Sequence, residues 1–258
     1  MPQPRKRFGQ HFLHDKGIIS KIIQAINPQR TQHLVEIGPG LGALTHALLP
    51  LIDHLDAVEI DRDLIPILKE SATEIGKLTI HEFDALKFDF HQLPTPLRVV
   101  GNLPYNISTP LIFHLLEQLD CIEDMHFMLQ REVVDRLSAT PGNKIYGRLS
   151  VMVQYHCIVE KLFNVAAGAF NPPPEVESAV VRLRPYPEPP HHANDLSALR
   201  MLVNAAFSQR RKTLRKSLSN YLKPADWEAI SIDSQRRPEE LSVAEFVAIS
   251  NIFVIASK

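Results

Sequence analysis

The sequence predicts an α/β domain built on a parallel sheet, followed by a small all-α domain. Three observations predict it. Short apolar runs alternate with helical patterns through residues 33–184, the signature of βαβ units. A glycine-rich stretch, VEIGPGLGALT at 35–45, leads from the first such run into a helix. Four prolines in the six residues 185–190 then separate this pattern from a helical remainder.

In chain order, residues 17–27 carry isoleucines at 18, 19, 22, 23 and 26, which is helical spacing. Strands are expected at His33–Gly38, Leu55–Ile60, Leu78–Phe83, Leu97–Asn102, Met125–Gln130, Ser150–His156 and Ser178–Arg184. Helices are expected at Gly42–Leu49, Asp63–Ser71 and Pro110–Leu119. Asp63 is expected as an N-cap, because it puts Pro66 in the first turn, where a missing N–H is tolerated. Near the end, Ser242 and Glu245 have capping-box spacing, with Leu241 and Phe246 placed as its hydrophobic staple.

The 258 residues are ample for a sizeable core. Two cysteines, Cys121 and Cys157, have neither disulfide-framework nor zinc spacing and are expected to be small buried hydrophobes. His191-His192 has no metal-ligand context. No apolar run reaches the roughly 18–20 residues of a membrane span, and the basic N-terminus lacks the apolar core of a secretory signal. A soluble cytoplasmic protein is therefore expected. The near-zero net charge hides a segregation. Residues 1–30 carry six bases and one acid, residues 31–185 carry 12 bases and 20 acids, and 200–223 holds seven bases and no acid. Basic flanks around an acidic middle suit an anionic macromolecule gripped at its ends; the alternative is a solvated basic face.

The turn at Gly38, Gly40 and Gly42 lets the backbone approach a ligand closely. It satisfies the dinucleotide fingerprint as well as the Gly-x-Gly-x-Gly form of methyltransferases. Glu36 favours S-adenosylmethionine, since a dinucleotide strand is normally apolar there; it either attracts the cofactor's cationic groups or holds the loop. Glu59 ends the next strand, where a carboxylate accepts from ribose hydroxyls, and Asp61 shares its parity. Asp84 ends the third and suits an adenine amine. After the fourth strand comes Asn102-Leu103-Pro104-Tyr105, like the Asn/Asp-Pro-Pro-Tyr signature of methyltransferases that act on exocyclic amines. The Asn102 oxygen and the Leu103 carbonyl would hold the two amine hydrogens. Pro104 stiffens the turn, and Tyr105 offers a stacking surface to a flipped base.

With these motifs, the chain resembles the ribosomal small-subunit RNA adenine N6,N6-dimethyltransferases (the KsgA type). The resemblance rests on RKRFGQHFL (5–13), VEIGPGLGALT (35–45), VEIDRDL (58–64), GNLPYNIST (101–109), MLQREVVDRL (128–137), YGRLSV (146–151), FNPPPEVESAVVRL (170–183) and FSQRRKTLRKSL (207–218). The GPGLGALT and FNPPPEVESAVVRL segments favour this type over the large-subunit, macrolide-resistance type.

The resemblance implies a Rossmann-like seven-strand methyltransferase sheet over 1–184, with a cofactor-covering segment at 1–30. It also implies a Pro-rich linker at 185–190 and a helical RNA-binding domain at 191–258. The implied reaction converts two adjacent adenines near the 3′ end of 16S rRNA, in the small subunit or its precursor, to N6,N6-dimethyladenine. Carried over by position, S-adenosylmethionine contacts fall to His11, Leu13, Gly38, Glu59, Asp84 and Asn102. His11 stands where many relatives have Asn, so its contact runs through side chain or backbone. Phe170 is implied as a second aromatic facing Tyr105 across the base, although composition alone reads it as core. A basic helix with Arg210, Arg211, Lys212, Arg215 and Lys216 is expected on rRNA phosphates, assisted by Arg5, Lys6 and Arg7. Arg131 and Arg148 either face RNA or form surface ion pairs. A monomer without metal is expected.

Overall fold

The computed structural model describes residues 11–209 and 211–253. Arg5, Lys6, Arg7 and Arg210 lie outside the described residues. The chain forms two compact units, one of residues up to Val134 with Glu160–Pro185, the other of Asp135–Val159 with Tyr186 onward.

The first unit is organised by a seven-stranded sheet in the order β4-β3-β2-β5-β6-β9-β7, to which β7 contributes from Glu160 onward. The strands are β2 (His33–Ile37), β3 (Leu55–Glu59), β4 (Leu78–Glu82), β5 (Leu97–Asn102), β6 (Ile122–Gln130), β7 (Cys157–Val165) and β9 (Ser178–Pro185). Pairing is parallel from β4 through β6, and β9 runs antiparallel to β6. The buried runs of β2, β3 and β5 leave no solvent-exposed face, as expected for strands covered on both sides. Helices α2 (Thr45–Leu48), α3 (Leu64–Ala72) and α4 (Ser108–Leu115) make the crossovers, and α5 (Arg131–Leu137) follows β6. At the start of α3, Asp63 occupies the N-cap without a side-chain capping bond; instead Asp61 accepts the Asp63 N–H at 3.3 Å. Asp63 thus holds the expected position without the expected bond, and Asp61 closes the turn that leads into the helix.

A small second sheet matters for the site. β1 (Phe12–Leu13) pairs antiparallel with β8 (Phe170–Asn171), so Leu13 stands opposite Phe170. Helix α1 (Lys16–Ile26) follows, capped by Asp15, which accepts from the Ile18 N–H, and closed by Asn27 in the left-handed region. Its Ile22 and Ile26 are buried with Leu34, Val100, Met128 and Val180, and each such side chain contributes about 1.5–3 kcal/mol. The far end of α1 is fixed by a buried charge. Arg98 on β5 donates to both oxygens of Asp124 on β6 (2.8 and 2.9 Å) and to the Ile26 carbonyl at 2.7 Å. Asp124 also accepts from Arg182 at 3.1 Å. Removing Arg98 alone would leave Asp124 buried and undercompensated, a loss on the order of 3–5 kcal/mol.

The second unit is helical. It holds α6 (Arg148–His156), α7 (Leu196–Phe207), α8 (Leu214–Ser217), α9 (Pro224–Ile230) and α10 (Val243–Ile252), and α7 packs on both α6 and α10. The Phe207 ring lies 6.3 Å from that of Tyr146 and 5.7 Å from that of Phe246. The Ser242/Glu245 capping box forms as expected, with Leu241 and Phe246 both buried. Residues 150–156, expected as a strand, are helical, and the strand follows from Cys157. The Val151–Val153 alternation misleads because Leu149 through Val153 are all buried, so no face of that segment meets water. Cys121 and Cys157 are free and buried, as expected.

Candidate active site

The carboxyl ends of β2, β3 and β5 open on a cavity of about 290 Å³. Its wall is mostly apolar, and the polar groups on it include Glu36, Glu59, Asp84 and Asn102. Two glycines explain the turn that borders it, of which Gly40 lines the cavity itself. Gly40 has φ +58, and a Cβ there would sit 3.3 Å from the Phe12 ring. Gly42 has φ +85, and a Cβ would lie 2.7 Å from both His46 and Leu68. A side chain at either position would strain the backbone and push on packed neighbours. Ile60 and Phe83, 48% and 49% exposed, supply open apolar surface on the same wall, suited to a flat aromatic ligand.

The acids have separate tasks. Glu36 is buried and accepts the Thr45 hydroxyl at 2.5 Å, tying the strand to the helix beyond the turn. Burial pushes its carboxyl up to about 7. Of the two roles open to Glu36, the structure gives it the loop. Glu59 accepts the Asp61 N–H at 2.8 Å on one oxygen and the Gly40 N–H at 3.2 Å on the other. The Ile60 backbone also bonds the carboxylate, and of the roughly four acceptor sites on its two oxygens this leaves one for a ligand hydroxyl. Burial raises its pKa against these backbone donors. Asp84 accepts the Leu86 N–H at 3.0 Å and borders the cavity beside Phe83. Asp61, by contrast, is buried and points back to the start of α3.

Asn102, Leu103, Pro104 and Tyr105 form one side of the cavity mouth. The Leu103 N–H donates to Met128 on β6 at 3.1 Å, and the turn closes with Ile107 N–H on the Pro104 carbonyl at 3.2 Å. Asn102 Nδ2 donates to the His11 carbonyl at 3.0 Å. The Tyr105 hydroxyl pairs with Ser178 Oγ at 2.7 Å. The His11 ring stacks on the Tyr105 ring, with centroids 5.6 Å apart and planes at 28°. His11 Nδ1–H donates to the Pro172 carbonyl at 2.9 Å. Three distant stretches (residue 11, the tetrad and the 170–178 segment) therefore lock one another.

Of the cofactor residues expected from the sequence, His11, Leu13, Gly38, Glu59, Asp84 and Asn102 all line this one cavity. Phe170 does not. It is 2% exposed and packed in the core with Leu13 and Val180, which is where composition alone would put it. Ser178 and the Pro172 carbonyl were invisible as site residues, because their partners Tyr105 and His11 are remote in sequence.

In the second unit, Arg211, Lys212, Arg215 and Lys216 are exposed. The expected basic helix is shorter than its charge run. Thr213 is extended, so helical structure resumes only at Leu214–Ser217, anchored by buried Leu214 and Leu218. Lys212, Thr213, Arg215, Lys216, Ser219 and Gln235 surround a recess of about 440 Å³. Arg131 pairs with Glu177 at 2.6 Å, and Arg148 donates to Asn204 at 3.2 Å. No helix among the described residues is long and apolar enough to cross a membrane, and no cluster of three metal-ligating side chains occurs among them.

Comparison with known proteins gives a consistent result. The ribosomal RNA adenine dimethylase family profile matches residues 1–254. The chain is 59% identical to the ribosomal RNA small subunit methyltransferase A of Pseudomonas aeruginosa, over 96% of this chain and 93% of that one. It is 55% identical to the protein of the same name from a Marinomonas species, over 97% and 95%. A crystal structure of a dimethyladenosine transferase from Plasmodium falciparum superposes with a TM-score of 0.80 at 27% identity, covering 93% of this chain and 96% of that one. The 23S rRNA methyltransferase ErmE shares the fold, with a TM-score of 0.73 at 24% identity over 94% and 99%.

Proposed function

The chain belongs to the ribosomal RNA adenine dimethylase family, and from that premise we propose that it uses S-adenosylmethionine to dimethylate N6 of two adjacent adenines near the 3′ end of 16S rRNA. The observation that carries this reading is the orientation of Asn102. With Nδ2 committed to a carbonyl, its Oδ1 is left as an acceptor beside Tyr105.

The cavity fits the cofactor on its own terms. Glu59 has spare acceptor capacity for a ribose hydroxyl, Ile60 and Phe83 offer an apolar wall for a purine, and Asp84 stands beside it for the purine amine. When bound, S-adenosylmethionine supplies an electrophilic sulfonium methyl group. The chain's own residues bind and orient. Asn102 Oδ1 and the Leu103 carbonyl each accept one hydrogen of the target amine, which favours a more tetrahedral nitrogen with an available lone pair. Tyr105 stacks on the extruded base. A methylated, cationic nitrogen loses its proton readily, so no strong base is required. After one methyl only one N–H remains, and the two-acceptor site then works with a single hydrogen bond.

We assign the cofactor and base sites to the first unit, and rRNA phosphates to the basic recess of the second. Phe170 supports the site from within, holding β8 against β1. The substrate is proposed to be 16S rRNA in the small subunit or its precursor, met in the cytoplasm by a monomer. The test is mass spectrometry of digested small-subunit RNA from cells with and without the protein. Loss of N6,N6-dimethyladenine in its absence is expected, and a product that stops at monomethyladenine with excess cofactor would overturn the assignment.

A further inference from the structure

The ring that lies against Tyr105 is the imidazole of His11, and it fills the place a base would need. A planar base between two rings needs about 7 Å between the outer centroids, twice the best carbon–carbon separation. The observed spacing is 5.6 Å, so a base cannot enter while the imidazole stays. The covered face is also the relevant one. His11, Asn102 and Tyr105 line the same cavity, so the imidazole covers a face of Tyr105 that borders the site.

We infer that His11 is a stand-in for the target base, a side chain that occupies the stacking face of Tyr105 until the extruded adenine displaces it. This rests on the base-site reading above. The ring is held by two weak ties, the stack itself and one Nδ1–H bond to the solvent-exposed Pro172 carbonyl. Neither is needed by Asn102, whose bond goes to the His11 backbone. The imidazole can therefore leave without disturbing the amide that orients the amine. While seated, it keeps Tyr105 turned toward Ser178 and competes with any base of low affinity. A weakly stacking or mispaired nucleotide must displace an aromatic ring to enter, whereas one that also satisfies Asn102 and Leu103 displaces it at a net gain. The device lowers the apparent affinity for every base by the same factor, so the pocket stays filled until a base that also satisfies Asn102 and Leu103 enters.

The test is steady-state methylation of small-subunit RNA particles by the full chain at saturating cofactor. His11→Ala keeps the backbone carbonyl and removes the competing ring. It is expected to lower KM for RNA roughly two- to tenfold, the range of one aromatic stack, and to move KM more than kcat. His11→Phe, a stronger stacker, is expected to raise it. A His11→Ala KM that is unchanged or higher overturns the inference while leaving the wild-type activity, and so the functional reading, intact. A wild-type protein that methylates no adenine sinks that reading instead. A second measurement does not depend on turnover. In protein labelled at histidine, the His11 ring protons should be displaced upfield by Tyr105, lose that displacement in Tyr105→Ala, and lose it again when a short RNA carrying the two target adenines is added. Persistence of the displacement in the RNA-bound protein overturns the stand-in role.

Discussion

Asn102 Nδ2 and the His11 carbonyl oxygen lie 3.0 Å apart, and this one bond decides which way the tetrad's amide faces. A carbonyl can only accept, so the amide nitrogen must point to it and Oδ1 must face the other way. The residue just before β1 therefore sets the acceptor of a motif 91 residues downstream. Replacing Asn102 by Asp keeps an acceptor but puts two oxygens against each other. Methylation by Asn102→Asp and Asn102→Ala is expected to fall by about 100-fold or more, because either change misplaces the amine at the reacting centre. Single-turnover kinetics at saturating cofactor measures it; a fall below threefold would remove Asn102 from the chemistry.

The Ser178 hydroxyl holds Tyr105 by its phenol oxygen at 2.7 Å. Ser178→Ala and Tyr105→Phe each remove the same bond and are expected to raise the RNA KM about two- to tenfold. The double variant should be no worse than either single one, which a double-mutant cycle reads directly. Additive losses would mean that the two side chains act separately.

Glu59 links ligand and loop. Glu59→Ala removes a charge-assisted hydrogen bond to the ligand, contributing about 1.5–3 kcal/mol, and releases the Gly40 N–H. Calorimetric titration with S-adenosylmethionine is expected to show at least a tenfold loss of affinity. An unchanged affinity in the folded variant would refute the ribose assignment.

The buried Glu36 gives stability a pH dependence. Its folded pKa, about 7, lies above the ordinary 4.5, so folding favours the protonated form. The group's contribution is fully present below pH 4.5, is lost as pH rises toward 7, and is absent above that. Glu36→Gln keeps an acceptor for Thr45 and cannot ionise. Its stability relative to wild type should rise across that window and then level off, by about 3 kcal/mol in all. Denaturant unfolding at pH 5, 6, 7 and 8 checks the sign; a difference independent of pH would mean that Glu36 is ionised throughout.

The basic recess makes a salt prediction. Lys212→Ala, Arg215→Ala and Lys216→Ala each take away one cation, and each phosphate ion pair removed in this way should flatten log affinity against log salt by about 0.7–0.9. Filter binding of small-subunit RNA across a salt series measures the slope. Weaker RNA binding with an unchanged slope would point to altered structure rather than to fewer ion pairs.

The sequence by itself determined the parallel α/β plan, the glycine turn, the run of acids at successive strand ends and the Asn-Leu-Pro-Tyr tetrad. These are local patterns. Strand periodicity, positive-φ glycines and a carboxylate just past a strand are each written within about ten residues, and backbone sterics enforce them wherever the segment lies. Tertiary structure decided everything that depends on a partner far along the chain. It made 148–156 a helix, because Leu149 through Val153 are buried whatever their parity, so the apolar alternation there does not mark a strand face. It tied Tyr105 to Ser178 and Asn102 to the His11 carbonyl. It sank Phe170 into the core and set His11 on Tyr105, because pairing of Phe12 and Leu13 with Phe170 and Asn171 turns the Phe170 side chain inward while bringing residue 11 to the cavity mouth. Spacing along one strand gives parity. Which parity faces the ligand is settled only when a second strand, more than a hundred residues away, fixes the register.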